Sequence, residues 1–239
     1  YATLTFDGAT HVKVANMTIE QTGFSGDAVI FANGSRYDTV SNCVTRVNTS
    51  STSSAYYNIS FSSSTSSNST GVDANYNVVQ NNRIIGGYYG IRIYGSTTNL
   101  NTYNQILNNE IDSAYYYGIY SYYQDSLEVI GNSINMLSRA YQYAYGFRGY
   151  YSNNTVFAKN NVKSGGYAAY FYNYNTYSPV NRKFEISNNM LYAENYYGLY
   201  MYYVDSVNLF HNSVNVLGTN PALLIGGTAS LPVSNYDMR

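Results

Sequence analysis

An Asn followed two residues later by an aliphatic side chain returns along the whole chain, and this repetition limits the fold more than any other feature. It occurs as Asn42-Cys-Val44, Asn82-Arg-Ile84, Asn109-Glu-Ile111, Asn132-Ser-Ile134, Asn160-Asn-Val162, Asn189-Met-Leu191 and Asn212-Ser-Val214, with a looser copy at Asn16-Met-Thr18-Ile19. The Asn-to-Asn steps are 26, 40, 27, 23, 28, 29 and 23 residues. A fixed period in this range marks a solenoid, in which each repeat buries its apolar side only against its neighbours. The step of 40 contains residues 49–70, of which 15 of 22 are Ser or Thr. Polar tracts of that kind bury no core, so an inserted loop is expected there within a single 1–239 domain.

Each repeat carries a second landmark, a small residue opening a short alternating run. These are Ala28-Val-Ile-Phe, Gly90-Ile-Arg-Ile, Gly118-Ile-Tyr-Ser, Gly146-Phe-Arg-Gly, Ala168-Ala-Tyr-Phe, Gly198-Leu-Tyr-Met and Ala222-Leu-Leu-Ile. Period-2 alternation with β-branched and aromatic residues reads as strand, and the segments before each Asn read the same way. No helix-length window holds a 3.6-residue period. A leucine-rich repeat would need leucines at fixed offsets and a helix or 3₁₀ turn in its second half, where this chain alternates as strand.

Two or three short strands per turn of about 26 residues, an Asn turn and no helix resemble the right-handed parallel β-helix repeat family. The expected fold is therefore all-β, a right-handed parallel β-helix of about eight coils. That family includes pectin- and alginate-degrading enzymes, phage tailspikes and bacterial surface proteins, so the resemblance implies a fold and leaves function open. The repeated Asn is expected to accept the left-handed backbone of a tight turn, and its stacked amides to bond from coil to coil.

Side chains alternate across a strand, so residues one and three after the small residue share a face. Those columns are mostly apolar and must be interior. The intervening columns hold Arg92, Tyr120, Arg148, Tyr170 and Tyr200, then Tyr94, Tyr122, Tyr150, Tyr172 and Tyr202. With coils roughly 4.8 Å apart, each outward column is a staircase of phenol rings. These ten residues form the expected ligand-binding face for a glycan or a partner-protein surface, because contiguous aromatic patches mark interaction sites. Parity places a further column, Tyr89, Tyr117, Tyr145, Tyr167 and Tyr197, inside or at a corner, as packing. The competing reading takes all 32 Tyr as strand-forming scaffold, since like residues stacked along a ladder stabilise a sheet.

Other partners fit poorly. Charged residues are 10% of the chain with a formal net charge of −1, and the basic ones are scattered, so a nucleic-acid partner is not expected. No apolar run is long enough to span a bilayer. Cys43 stands alone, expected to point outward with Arg83, Glu110 and Ser133, and no metal or cofactor motif is present.

Glycoside hydrolysis needs two carboxyls roughly 5–9.5 Å apart. Asp125 and Asp205 occupy equivalent places but three coils apart, and Asp38, Glu128 and Glu185 are expected in one outward column without being coil neighbours. Polygalacturonase-like Asn-Thr-Asp, Asp-Asp and Gly-His-Gly motifs are missing, and the histidines are His11 and His211. These features favour a non-catalytic β-helical segment of a secreted or cell-surface bacterial protein, with a remainder of a larger parent chain beyond it. The repeat is already running near residue 11 and still running near 226 without a polar cap, as expected of a segment. The alternatives are a polysaccharide lyase or hydrolase whose active site lies partly outside this segment, and a purely structural stalk.

Overall fold

In the computed structural model, residues 2–65, 74–139, 141–175, 184–228 and 234–239 are described. Every paired strand runs parallel, and each coil contributes one strand to each of three long sheets. The first sheet is built from the alternating runs, among them Gly26–Ala32, Tyr89–Tyr94, Tyr117–Tyr122, Tyr145–Tyr150, Tyr167–Tyr174 and the start of Leu199–Phe210. The second takes the segments before each Asn, such as Gln105–Leu107 and Glu128–Ile130, and the third those after it, such as Glu110–Asp112 and Ser133–Asn135. Among the described residues the third sheet has eight strands, giving eight full coils, and Leu223–Gly226 and Ser234–Met238 begin a ninth in the first and second sheets. This is a parallel β-helix: strands follow the Asn in every repeat, and among the described residues the one helical element is the short 3₁₀ turn Leu137–Arg139.

The register of the first sheet follows the small residues. Val29, Ile59, Ile91, Ile119, Phe147, Ala169 and Leu199 are partnered in turn. All seven are buried, as are Phe31, Phe61, Ile93, Phe171 and Met201 two residues on. Together with Ile106, Val129 and Ile186 of the second sheet and Ile84, Ile111 and Ile134 of the third, they fill one axial core.

Ile59 and Phe61 belong to Tyr56–Ser62, a full first-sheet strand between Gly26–Ala32 and Tyr89–Tyr94. Residues 49–70 are therefore not one loop thrown out of a repeat, although 66–70 lie outside the described residues. The Ser/Thr content misleads because a strand with one buried face needs an apolar side chain only at alternate positions.

At the corner between the second and third sheets the Asn ladder is continuous over six coils. Asn82 donates through Nδ2 to Asn109 Oδ1 at 3.0 Å, and the same bond links Asn109 to Asn132, Asn132 to Asn160, Asn160 to Asn189 and Asn189 to Asn212. Each Nδ2 also caps a carbonyl of the coil before, as Asn132 does for Ile106 O at 2.9 Å. Buried backbone groups at a corner have no sheet partner, and the amide supplies one. The left-handed backbone belongs to the preceding residue instead: Asn42, Asn81, Asn108, Lys159, Asn188 and His211 all have φ between 51 and 58°.

That offset moves Cys43. Asn42 is the left-handed residue of its coil, so Cys43 takes the ladder position, 1% exposed, its N–H donating to Asn82 Oδ1 at 2.9 Å. The thiol is core, not an outward group. Asp38 shifts likewise. Thr39, not Asp38, stands in the column of Val78, Gln105, Glu128, Val156 and Glu185. Asp38 is fully buried at the opposite corner, where its N–H donates to Asn77 Oδ1 and that of Asn77 to Asn104 Oδ1, both at 3.0 Å.

A tyrosine-covered sheet face

The first sheet's outer surface gathers the ten expected residues into one patch. Tyr94 stacks on Tyr122 with ring centroids 4.7 Å apart and planes 3° from parallel, and Tyr170 on Tyr200 at 4.6 Å and 3°. Tyr150 bridges the two pairs, 5.5 Å from Tyr122 and 5.7 Å from Tyr170, and Tyr172 continues to Tyr202 at 6.1 Å. Tyr120 joins Tyr94, Tyr122 and Tyr150. The Arg92 guanidinium lies 4.5 Å over the Tyr94 ring and that of Arg148 lies 4.8 Å over Tyr150.

The patch is wider and tighter than alternation alone suggests. Sheet pairing runs Tyr89↔Tyr117 and resumes at Ile91↔Ile119, skipping the glycine between. A Cβ on Gly90 would come 2.7 Å from Ile111 Cγ2, and one on Gly118 2.6 Å from Ile134 Cγ2, so the small residue faces inward like the residue after it. Parity slips there, and the column expected inside or at a corner packs among the outer rings, with Tyr117 itself buried and the other four half-buried. Tyr89 packs 5.8 Å from Tyr120, Tyr145 5.7 Å from Tyr170, and Tyr197 5.2 Å from Tyr200. Two flanking columns, Tyr88, Tyr116 and Tyr196 on one side and Tyr123, Tyr151 and Tyr203 on the other, close the margins.

Crowding leaves the eight tyrosines of the expected site half-buried and Arg92 only 8% exposed, so Arg92 lies beneath the face and does not flank it openly. Burial pushes the Tyr120, Tyr170 and Tyr200 hydroxyls above the ordinary phenol range, and neighbouring phenols add to it. Burial pulls the Arg148 guanidinium down, but the surrounding Tyr117, Tyr145 and Tyr150 oxygens outweigh it and keep it cationic. Tyr94 with Tyr122, Tyr170 with Tyr200 and Tyr172 with Tyr202 lie face to face along the coil axis, so much of their flat surface is spent on each other, while Tyr150 meets its neighbours at a tilt. Ring edges and hydroxyls remain for solvent or ligand.

A second aromatic column stands at the corner between the first and second sheets. His11, Tyr37, Tyr76 and Tyr103 stack at 4.9, 4.7 and 5.0 Å, all with left-handed backbones. These tyrosines are more open, with Tyr103 53% exposed. The recurring Tyr-Asp and Tyr-Asn pairs Tyr37-Asp38, Tyr76-Asn77 and Tyr103-Asn104 are its signature in the sequence. On the third sheet, Glu110, Asp112, Ser133, Asn135, Asn161 and Lys163 line a shallow polar cleft. Its carboxylates already have partners: Glu110 pairs with Arg83 at 3.7 Å, and Asp112 accepts from Ser138 Oγ at 3.1 Å. Asp125 and Asp205 stay apart on their separate coils, Asp125 accepting from Asn154 Nδ2 at 2.7 Å.

Comparison with known proteins agrees with this architecture. The surface adhesin PfbA of Streptococcus pneumoniae superposes with a TM-score of 0.57 over 94% of this chain at 15% identity. The Dettilon tailspike protein gives 0.47 over 98% of this chain and 54% of its own, at 11% identity. The chain spans 64% of the adhesin's length. No curated protein matches by sequence. The family described as right-handed β-helix region matches residues 74–237, more than half of the chain, and the chain belongs to that family.

Proposed function

We propose that this chain is a non-catalytic β-helical segment of a secreted or cell-surface bacterial protein that holds an extended ligand, a glycan strand or a partner-protein surface, against its first sheet. The observation that carries this reading is the continuity of the tyrosine face, from Tyr94 through Tyr122 and Tyr150 to Tyr202 without a gap. A ridged, shallow face suits an extended polymer better than a small molecule, which favours a concave pocket. Many weak contacts gain strength by repetition along a solenoid. The likeness in fold to a surface adhesin supports the same reading.

The face-to-face stacking favours a second reading, a structural stalk whose rings serve only each other. Replacing Tyr122, Tyr150 and Tyr172 with Ser separates the two. Loss of adhesion or of glycan-array binding, with the circular dichroism of the rod unchanged, supports the binding face. A triple variant that binds surfaces as well as the parent leaves the stalk.

A further inference from the structure

Arg148 brings to the tyrosine face a positive charge that no ion pair among the described residues neutralises, whereas Arg92 shares its end of the face with the buried Asp27 carboxylate, in the column of Tyr57 and Tyr89. Among the described residues the ion pairs are Arg46–Glu20, Arg83–Glu110 and Arg239–Asp237, and neither Arg92 nor Arg148 takes part in one. Arg92 is almost covered, and its Nη1 has no hydrogen-bond partner among the described residues. Arg148 stands two coils further on in the same column, roughly 10 Å away at the β spacing. A covered, unpaired cation is costly unless an anion answers it, and contact with ring faces offsets only part of that cost.

Hydrogen-bond counting sharpens the point. Arg148 donates through Nε to the Tyr150 hydroxyl at 2.8 Å, through Nη2 to the same oxygen, and through Nη1 to the Tyr117 hydroxyl at 2.6 Å. A guanidinium has five donors and no acceptor, so both phenol oxygens must accept and their protons are turned away from the arginine. The Tyr150 oxygen has both lone pairs taken. Its proton passes to the neighbouring Tyr170 hydroxyl or outward, and in either case the chain of hydroxyls ends in an unused donor. Burial holds Tyr117 and Tyr145 above the ordinary phenol range, so neutral phenols and not phenolates surround the guanidinium at neutral pH. The cluster is rich in donors, short of acceptors and positive.

We propose that Arg148 with the Tyr150 hydroxyl, oriented from below by the buried Tyr117, forms an anion subsite for the carboxylate or sulfate groups of an acidic polysaccharide lying along the face. The ligand is a polysaccharide because the stacked rings offer edges and hydroxyls, which answer sugar hydroxyls, and because the coil repeat suits a polymer with regularly spaced groups. This inference rests on the reading of the face as a binding surface, and its test is separate.

The test measures binding of the whole chain to hyaluronate, dextran sulfate, neutral dextran and poly-glutamate in solution. Both acidic polysaccharides should bind at least about tenfold more tightly than dextran, the worth of one charge-assisted hydrogen-bond set, and the preference should shrink as salt rises. Arg148→Gln should remove that preference, and the paired variant Tyr117→Phe with Tyr150→Phe should reduce it while keeping both rings. Arg148→Lys should retain part of it, so the Lys and Phe variants decide the matter if the Gln variant fails to fold. Equal binding of dextran and hyaluronate, or an unchanged preference in Arg148→Gln, overturns the subsite and leaves the binding face standing. Poly-glutamate bound as tightly as hyaluronate overturns the polysaccharide.

Discussion

Tyr170 and Tyr200 lie one coil apart with ring centroids 4.6 Å from each other and planes 3° from parallel. Their strands are held in register by the sheet, so each ring is delivered to the other at the coil spacing without a search. Stacked aromatic pairs contribute about 0.5–1.5 kcal/mol beyond the area they bury. Tyr170→Ala, Tyr200→Ala and the double variant should therefore show a coupling energy of that size in denaturant unfolding. A coupling near zero would mean that the rings touch without stabilising the rod, and that their spacing merely follows the sheet.

The inward small residue is open to a sharper test. At Gly146 a Cβ would fall 2.1 Å from Val162 Cγ1 and 2.7 Å from Ala168 O. Gly146→Ala should destabilise the rod by about 1–3 kcal/mol, the usual cost of overpacking. Adding Val162→Ala relieves the side-chain clash and not the carbonyl contact, so midpoint denaturant concentrations should show partial recovery only. Full stability in Gly146→Ala alone would refute the close approach of the third sheet at this corner.

These positions also show what was readable in advance. Gly90, Gly118 and Gly146 align the first sheet correctly because the chain must repeat its small residue wherever the third sheet presses in. The same glycines conceal the parity slip, since alternation read through them turns Tyr89, Tyr117 and Tyr145 the wrong way. The ladder place of Cys43 is illegible in the sequence for a different reason. The left-handed turn and the ladder both favour Asn, as Asn81-Asn82, Asn108-Asn109 and Asn188-Asn189 show, and a coil with a single Asn does not say which of the two it holds. The burial of Arg92 depends on how Tyr57, Tyr94 and the rings around them fill space, which no spacing rule expresses. Tyr56–Ser62 was hidden by composition, its alternation visible only in Ile59 and Phe61.

Asp38 gives a pH prediction. Its Oδ1 accepts from the Val12 N–H at 2.8 Å, while Oδ2 has no hydrogen-bond partner among the described residues and the side chain is fully buried. Burial raises its pKa, and the Val12 N–H and nearby His11 pull it back only in part. A carboxyl held more tightly protonated in the fold than in the unfolded chain supports the fold fully below about pH 4, and that support is lost as pH rises through the folded value. Asp38→Asn keeps the shape and supplies donors, as Asn77 and Asn104 do on the next coils. It should raise the melting temperature at neutral pH, by the equivalent of about 1–3 kcal/mol, and the gain should vanish below about pH 4. A neutral-pH loss of stability would show that the carboxylate is wanted there in its charged form.

The tyrosine face should fail in alkali in one step. Burial lifts Tyr88 to about 12 and pushes Tyr117, Tyr120, Tyr145 and Tyr170 up as well. A phenol with a folded pKa above its unfolded value near 10 leaves stability intact below that pH. As pH rises further, the unfolded chain releases protons that the folded chain still holds, and each such phenol draws the equilibrium toward unfolding. With so many shifted in the same direction, the loss should be steep. Ultraviolet absorbance of tyrosinate should therefore lag behind that of free tyrosine, then rise together with the collapse of the β signal in circular dichroism. Arg148→Gln removes a positive charge that favours phenolates at Tyr117, Tyr120, Tyr145 and Tyr170, so its tyrosinate signal, up to the collapse, should lag further still. A gradual titration centred near the free-phenol value, with the β signal intact, would show that the rings are wetter than their packing in the sheet face requires.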